Sequence, residues 1–513
     1  MKYILGIDVG TSNVKAVLFD EYGQETVVAS HESETINLPG NQVEQDMNAV
    51  WENVKVCVKK VAASEEARGN EIIGIGVTGQ GEGCWLIDKD GNPVQNAILW
   101  CDGRAVEEVG AVTETHPEIG QYYHTTTGCT PLLGNQMMLL KWMKENRKET
   151  LDKAYKLVFC KDWVRFKMTG EIHTEITDSL TSLIDVQTGK IAEELMEKLD
   201  IADYRDYLPD PLRSDEIAAT ILDSFAEETG LPKGLPVIAG ALDTSATAVG
   251  LGAIHEKDVC VILGTTCASE IVWKKEDCNF GAEGSRYEKH PLGDLYVSLQ
   301  PTLNGTPNID WMLETIVGSR DFRMIDDMMD SVPVGSGGVI YHPYISVAGE
   351  RAPFYHPYAR ASFFGLNQNT KKEQLVRAVY EGVSLSVKDC LQDVDKSGKI
   401  FLAGGGAKSS VWAQMIADVI GMKVMIPTGK ELGAKGVALM VGVSQGLYKD
   451  YEEAVQKACT FRQTYEPNPV NAKKYDLIYD LYKKIRISNQ EHWNHRHELK
   501  LMFAALDEEV CEK

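Results

Sequence analysis

One pattern occurs twice in this chain, at its start and again near its middle, and it narrows the possible folds more than any other feature. Ile4-Leu5-Gly6-Ile7-Asp8-Val9 and Val14-Lys15-Ala16-Val17-Leu18-Phe19 are apolar runs rich in β-branched residues, and they flank Gly10-Thr11-Ser12-Asn13. Such runs around small polar residues predict a strand, a tight turn and a returning strand. The pattern returns as Val259-Cys260-Val261-Ile262-Leu263, then Gly264-Thr265-Thr266-Cys267, then Ala268-Ser269-Glu270-Ile271-Val272-Trp273. The interval is far too long for a solenoid repeat and predicts two similar halves. No bulky side chain covers the backbone of either turn. The N–H groups and hydroxyls of Gly10, Thr11 and Ser12, and of Gly264, Thr265 and Thr266, could grip an anion, with Asp8 able to hold a metal ion beside them. Taken alone, each turn is explained more simply by a hairpin whose Gly and Asn only supply special backbone angles.

A chain of 513 residues exceeds one ordinary core, so two or more domains are expected, with a boundary near 245–255. The formal net charge of −23 is spread along the sequence and speaks against nucleic acid as a partner, which would need a basic face. An anionic ligand would therefore depend on local backbone donors, a few cations or a metal ion. The 11 cysteines include no Cys-x-x-Cys pair, and Cys160, Cys260 and Cys267 sit in apolar runs. That predicts buried thiols in a reducing compartment. The first residues run directly into a strand without a basic leader or apolar signal core, and no apolar run approaches membrane-spanning length, so the expectation is a cytoplasmic protein without membrane contact.

Strands alternate with helical patterns in both halves, which predicts α/β layers in each domain. Glu71-Ile72-Ile73-Gly74-Ile75-Gly76-Val77 is a strand entering Thr78-Gly79-Gln80-Gly81-Glu82-Gly83. Lys399-Ile400-Phe401-Leu402-Ala403 is another, entering Gly404-Gly405-Gly406-Ala407 ahead of a helix that begins near Ser410. This second turn is neither a Walker A motif nor the dinucleotide fingerprint, yet a glycine strand-to-helix turn presents N–H groups and a helix dipole to an anion. A plain connecting turn explains it equally well. Asp243, with Thr244 beside it, follows the buried-looking strand Leu235-Pro236-Val237-Ile238-Ala239-Gly240 and opens a small-residue helix. An Asp there caps helices, but at the seam between halves it could also accept a proton from an attacking hydroxyl. Asp102 and Arg104 could clamp hydroxyls against Trp100, and Gln80 and Glu82 have the same capacity; solvent turns are the simpler account of both. His492, His495 and His497 lack metal-ligand spacing and read as a solvated helix face.

Taken together and in order, these stretches resemble the FGGY carbohydrate kinases. The resemblance is carried by Gly6-Ile7-Asp8-Val9-Gly10-Thr11-Ser12, Ala239-Gly240-Ala241-Leu242-Asp243, Leu263-Gly264-Thr265-Thr266 and Ala403-Gly404-Gly405-Gly406-Ala407. The second family signature is matched by Ala361-Ser362-Phe363-Phe364-Gly365-Leu366 followed by Gln374-Leu375-Val376-Arg377-Ala378-Val379-Tyr380-Glu381, and the likeness extends to about residue 445. One departure is Leu139 ahead of Trp142, where the first signature usually has Lys. The loop Gly79-Gln80-Gly81-Glu82-Gly83 differs from the Arg-Glu of glycerol kinases and the Met-His of xylulokinases. It is similar to the loop of kinases of L-xylulose and of polyols such as erythritol.

The resemblance implies an α/β fold of two actin-like (ribonuclease H-like) ATPase domains flanking a central cleft. Residues 1–245 would bind sugar and supply the base; residues 246–513 would bind ATP and end in a helical tail. It implies an ATP-dependent sugar kinase that phosphorylates a ketopentose or small polyol. Gly10, Thr11, Ser12, Gly264, Thr265 and Thr266 would hold phosphates, with Gly405, Gly406, Ala407 and Ser410 at the α-phosphate and nucleoside. Asp8 and Asp243 would hold Mg²⁺, and Asp243 would take the proton. Gln80, Glu82, Trp100, Asp102, Arg104, Asp243 and Thr244 would line the sugar pocket, and the resemblance allows a homodimer. A non-sugar ATPase of the same architecture and a catalytically silent sugar-binding regulator are the alternatives.

Overall fold

The computed structural model describes residues 1–282, 284–392 and 394–511, with side chains described through residue 506. The chain packs as two compact units that interleave along the sequence. The first comprises Met1–Glu256, Val272–Ser298 and Thr428–Thr460; the second comprises Lys257–Ile271, Leu299–Pro427 and the chain from Phe461 onward.

The first unit is built on the opening hairpin. Strand Lys2–Val9 is antiparallel to Asn13–Asp20, with Asp8 opposite Lys15 and Val9 opposite Val14. On its other side it runs parallel to Glu71–Gly79, with Asp8 opposite Thr78 and Val9 opposite Gly79. Pro236–Ile238 continues the parallel set, and Ile217–Thr220 closes it antiparallel. Being central, the first strand is buried on both faces, which explains why its sequence is almost continuously apolar.

Helix Met47–Ala62 covers one face of this sheet. Asp46 caps it by accepting from the Asn48 and Ala49 N–H groups, and Val50, Val54, Cys57, Val58 and Val61 are buried along one side. They share a core with Leu5, Ile7 and Val9 of the first strand and with Trp163, Val164 and Met168 of helix Cys160–Thr169. Each such side chain contributes roughly 1.5–3 kcal/mol on burial. A different packing mode operates at helices Asp243–Leu251 and Leu432–Ser444, where backbones approach closely. A Cβ on Gly436 would lie 1.8 Å from the Ala246 carbonyl oxygen, and one on Gly250 would lie 2.0 Å from that of Leu432. Gly6 of the first strand is similarly filled, 2.3 Å from the Ala434 carbonyl oxygen.

The second unit repeats the arrangement. Val259–Leu263 is antiparallel to Cys267–Lys274 and parallel to Ile400–Gly404, with Leu263 opposite Gly404. Val424–Pro427 continues in parallel and Phe461–Tyr465 closes antiparallel. Hairpin, parallel partner, second parallel strand and antiparallel edge thus recur in the order found in the first unit. Helices Lys372–Cys390 and Ser410–Ile420 pack together, with Trp412 Nε1 donating to Ser384 Oγ at 3.0 Å and its ring edge-on to Tyr380. The signature segment Gln374–Glu381 lies inside the first of these helices. Its Glu381 ion-pairs with Arg377 at 2.9 Å and accepts from Ser336 Oγ and Tyr475 OH, each at 2.8 Å. This pair braces the interior of the unit. In helix Pro469–Cys511, His492 and His495 are exposed and His497 stacks on Tyr358.

Candidate active site

In the first unit three parallel strands end side by side. Asp8 stands opposite Thr78, and Thr78 opposite Ala241, two residues before Asp243. The space beyond the carboxyl ends of parallel strands is where open α/β sheets receive ligands. Asp243 is the first residue of its helix and Asp8 the penultimate residue of its strand, so both carboxyls are delivered to that edge by main-chain geometry.

Both carboxyls are half-buried, open enough to meet a ligand and enclosed enough to lose hydration. Burial pushes Asp8 up to about 6; Lys15 opposes this and Glu431 adds to it. Lys15 Nζ itself pairs with Glu431 at 2.6 Å. A side chain at Gly433 would stand 3.3 Å from Asp8 Oδ2, so the first turn of helix Leu432–Ser444 faces this carboxylate. Burial likewise pushes Asp243 up to about 7, with the charges of Asp8 and Glu288 adding to the effect and the Thr244 N–H and Arg286 opposing it. The Thr244 N–H donates to Asp243 Oδ1 at 2.7 Å, which orients the carboxyl.

A second wall forms around Glu82. This residue has φ +55°, a left-handed conformation uncommon outside glycine and asparagine and worth a functional explanation. Its Oε1 accepts from Asn135 Nδ2 at 3.1 Å and from Arg286 Nη2 at 3.0 Å. Burial raises its carboxyl, and Arg286 draws it back. Glu288 stands 3.8 Å from the same Arg286 guanidinium and accepts from Thr244 Oγ1 at 2.5 Å. Thr244 is therefore tied to this wall as well as to Asp243.

The opening turn is closed by Gly10 N–H donating to the Asn13 carbonyl at 3.0 Å, and Ser12 is exposed. Thr11 is committed to protein partners: its hydroxyl donates to Gln80 Oε1 at 2.9 Å and accepts from Trp100 Nε1 at 3.1 Å. Gln80 in turn donates to Gln45 Oε1 at 2.8 Å. The structure so joins Thr11, expected at phosphate, to Gln80 and Trp100, expected at sugar. Trp100 keeps 49% of its surface exposed, as an open apolar wall would. Asp102 and Arg104 have fully buried side chains. Asp102 accepts from Arg104 Nε at 2.8 Å and from the Val43 N–H at 2.5 Å, while Arg104 also reaches Glu44 at 2.9 Å and lies over Trp142. These bonds brace the loop that carries Trp100, and among the described residues Arg104 Nη1 finds no hydrogen-bond partner.

In the second unit the two small-residue turns are neighbours, because Leu263 and Gly404 pair at the ends of adjacent parallel strands. Thr265 and Thr266 are exposed, and Gly264 is held by its N–H donating to the Thr266 carbonyl at 2.9 Å. Gly404 has φ +88° and Gly405 is exposed; Gly406 and Ala407 are buried beneath them. Ser410, exposed, opens helix Ser410–Ile420, whose cap is Ser409 accepting from the Trp412 N–H. This cluster offers backbone donors and a helix N-terminus, the chemistry of a phosphate cradle.

Sequence reasoning missed Arg286, Glu288, Asn135, Lys15 and Glu431. Arg286 and Glu288 carried a signal, since alternate charges in a short strand point to one face. Lys15 carried one as the lone cation in an apolar hairpin strand. Nothing in the sequence joins Glu431 or Asn135 to the site.

Among the described residues no three or more His, Cys, Asp or Glu side chains gather as a metal cluster. No helix among them is long and apolar enough to cross a membrane.

Comparison with known proteins identifies the family and the fold. Residues 3–250 match the N-terminal domain of the FGGY family of carbohydrate kinases, and residues 262–444 match its C-terminal domain. The chain is 27% identical to a xylulose kinase of Bacillus subtilis (strain 168) over 490 residues, covering 94% of this chain and 97% of that protein. It is 28% identical to an erythritol kinase of Brucella abortus (strain 2308) over 510 residues, covering 96% and 97%. Its fold superposes on the crystal structure of a ligand-bound xylulose kinase from Lactobacillus acidophilus with a TM-score of 0.85 at 24% identity, covering 96% of this chain and 100% of the other. The chain belongs to the FGGY family of carbohydrate kinases, phosphotransferases that use ATP on an actin-like α/β fold.

Proposed function

We propose that this kinase transfers the γ-phosphate of ATP to a hydroxyl of a neutral ketopentose of the xylulose type or of a small polyol, with Asp243 as the general base. The observation that carries the reading is the placement of Asp243. Its helix begins where three parallel strands end, Oδ1 is anchored by the Thr244 N–H, and among the described residues Oδ2 accepts no hydrogen bond. An oriented carboxylate with one oxygen unspent suits a proton acceptor, help typically worth about 10²–10⁴ in rate. The names of the relatives, xylulose kinase and erythritol kinase, support this substrate range.

In this reading the first unit holds the sugar and the second holds ATP. Gln80, Glu82, Trp100 and Thr244 face the acceptor, with Asp102 and Arg104 bracing the loop of Trp100. Thr265 and Thr266 hold phosphates, as do Thr11 and Ser12 through their backbone N–H groups, while Gly10 and Gly264 close the two turns with their own N–H groups; Gly405, Gly406, Ala407 and Ser410 line the α-phosphate and nucleoside. Glu82 and Glu288 outnumber Arg286, so a neutral polyhydroxyl acceptor suits the wall better than a carboxylated sugar. Asp8 and Asp243 are two enclosed carboxylates, burial raising both and the charge of Asp8 adding to the rise in Asp243, a donor set that fits one Mg²⁺ ion. Bound there with ATP, Mg²⁺ would neutralise charge developing on the phosphates. Phosphoryl transfer otherwise needs mainly positioning from the protein.

The test is ADP release measured with D-xylulose, L-xylulose, erythritol, glycerol and gluconate, using wild type and Asp243→Asn. One of the neutral acceptors should drive turnover, and the variant should lose at least about 10²-fold in kcat while still binding ATP. Near wild-type turnover by Asp243→Asn removes the base assignment. Turnover with gluconate alone removes the substrate class.

A further inference from the structure

Beneath the site lies a buried ionic cluster that the reaction itself does not call upon. Lys161 Nζ is 3.1 Å from Asp162, 3.5 Å from Glu175 and 2.5 Å from Asp178, and Arg165 pairs with Asp162 at 2.8 Å. All five side chains are fully buried. Among the described residues, Asp162 Oδ2, Arg165 Nε and Asp178 Oδ1 find no hydrogen-bond partner. Burying charges with polar atoms left over is a poor way to stabilise a core; an apolar replacement is often neutral or better. What the cluster supplies is geometry, and its outward bonds indicate where.

Those bonds converge on the peptide segment that delivers Asp243. Arg165 Nη1 donates to the Ala239 carbonyl at 2.5 Å. The Leu242 N–H donates to Thr177 Oγ1 at 2.8 Å, and Thr177 Oγ1 donates onward to Glu175 Oε2 at 2.6 Å. Glu175 also accepts from Ser214 Oγ at 2.5 Å, while the Ser214 carbonyl accepts from the Gly240 N–H at 3.0 Å. Thr78 Oγ1 holds the remaining peptide by donating to the Ala241 carbonyl at 2.8 Å. Every residue from Ala239 to Leu242 is thereby fixed, three of the four through the cluster or a residue bonded to it. The same cluster seats the loop that carries Gln80 and Glu82, for a Cβ on Gly81 would fall 2.1 Å from Leu242 Cδ1 and 2.8 Å from Asp178 Oδ1.

We propose that Lys161, Asp162, Arg165, Glu175 and Asp178, acting through Thr177, form a positioning assembly that fixes the Asp243 carboxyl relative to the loop Gly79–Gly83. This rests on the reading of Asp243 as the base. These residues touch neither the acceptor hydroxyl nor the phosphates; they hold the backbone that aims the group that does. Displacements of an ångström at a reacting group can cost about 10²-fold in rate, which sets the scale of the effect.

Thr177→Val is nearly isosteric and removes both the acceptor for the Leu242 N–H and the donor to Glu175. Steady-state kinetics on folded, quantified protein should give a kcat at least about tenfold lower with the KM for ATP unchanged within about twofold, and Thr177→Ser should restore kcat. A purely structural role would lower the melting temperature and leave kcat per folded molecule intact; that result overturns the proposal. If Thr177→Val does not fold, Ser214→Ala removes the bond to Glu175 more gently, and a kcat within twofold of wild type in that variant overturns it too. Combining Thr177→Val with Asp243→Asn separates this proposal from the one beneath it. Full activity in Asp243→Asn alone sinks the base. An inactive Asp243→Asn beside an unimpaired Thr177→Val sinks the positioning assembly, as does a further multiplicative loss in the double variant. No additional loss in the double variant supports it.

Discussion

His290 illustrates how far a single residue's environment can be specified by its neighbours. Its Nδ1 accepts from the Leu292 N–H at 3.1 Å and its Nε2 contacts the Ala253 carbonyl at 3.0 Å. One ring nitrogen must accept and the other donate, so only the neutral Nε2–H tautomer satisfies both. Burial lowers its pKa to about 4. His342, stacked on Tyr482 and bonded through Nε2 to the Tyr482 carbonyl, is lowered to about 4 by burial as well. An unfolded chain binds these protons near pH 6.5 and the folded one only near 4, so the unfolded state is favoured as pH falls through that window. Their contribution is fully present above about pH 6.5 and is lost as pH falls toward 4, on the order of 3 kcal/mol for each. Thermal unfolding followed from pH 7.5 to 4.5 should show the midpoint falling, with a shallower fall in His342→Gln. An equal slope in that variant would refute the assignment. Neither histidine announced itself in the sequence, since burial comes from partners such as Ala253 and Tyr482 that lie far along the chain.

Between elements, the decisive contact is the crossing of helices Asp243–Leu251 and Leu432–Ser444. Their backbones approach through Gly250 and Gly436, where no Cβ can be accommodated against the opposing carbonyl oxygens. Gly436→Ala should force the helices apart and destabilise the first unit by about 1–3 kcal/mol, read as a lower melting temperature. Because Asp243 heads one of the two helices, kcat should fall with it. An unchanged melting temperature would mean that the crossing is looser than its geometry implies. The small-residue helix after Asp243 was legible from its composition. Its partner was not, because nothing near residue 243 refers to residue 436. The same holds for the Asp102–Arg104 pair: the sequence marks it as polar and turn-like, while the contacts with Val43, Glu44 and Trp142 make it a buried brace.

At the scale of the whole molecule, charge and topology act separately. A net charge of −23 opposes compaction through self-repulsion, and salt screens that repulsion. Raising ionic strength from about 0.01 to 0.15 M at constant pH should therefore raise the melting temperature by a few degrees, and a fall would show that local ion pairs outweigh the global field. The doubling of the hairpin was legible from the start, because periodicity and small-residue turns are local properties that strands cannot hide. The strands, the two small-residue turns, the order of the family motifs and the candidacy of Asp8 and Asp243 were all legible in the chain itself. The tertiary structure alone decided that Thr11 is bonded to Gln80 and Trp100, that Arg286 and Glu288 join Glu82 and Thr244, and that a buried ionic cluster grips the segment before Asp243. The physical reason is range. Strand and turn signals are written within a few residues, whereas burial and charge pairing depend on residues that only folding brings together.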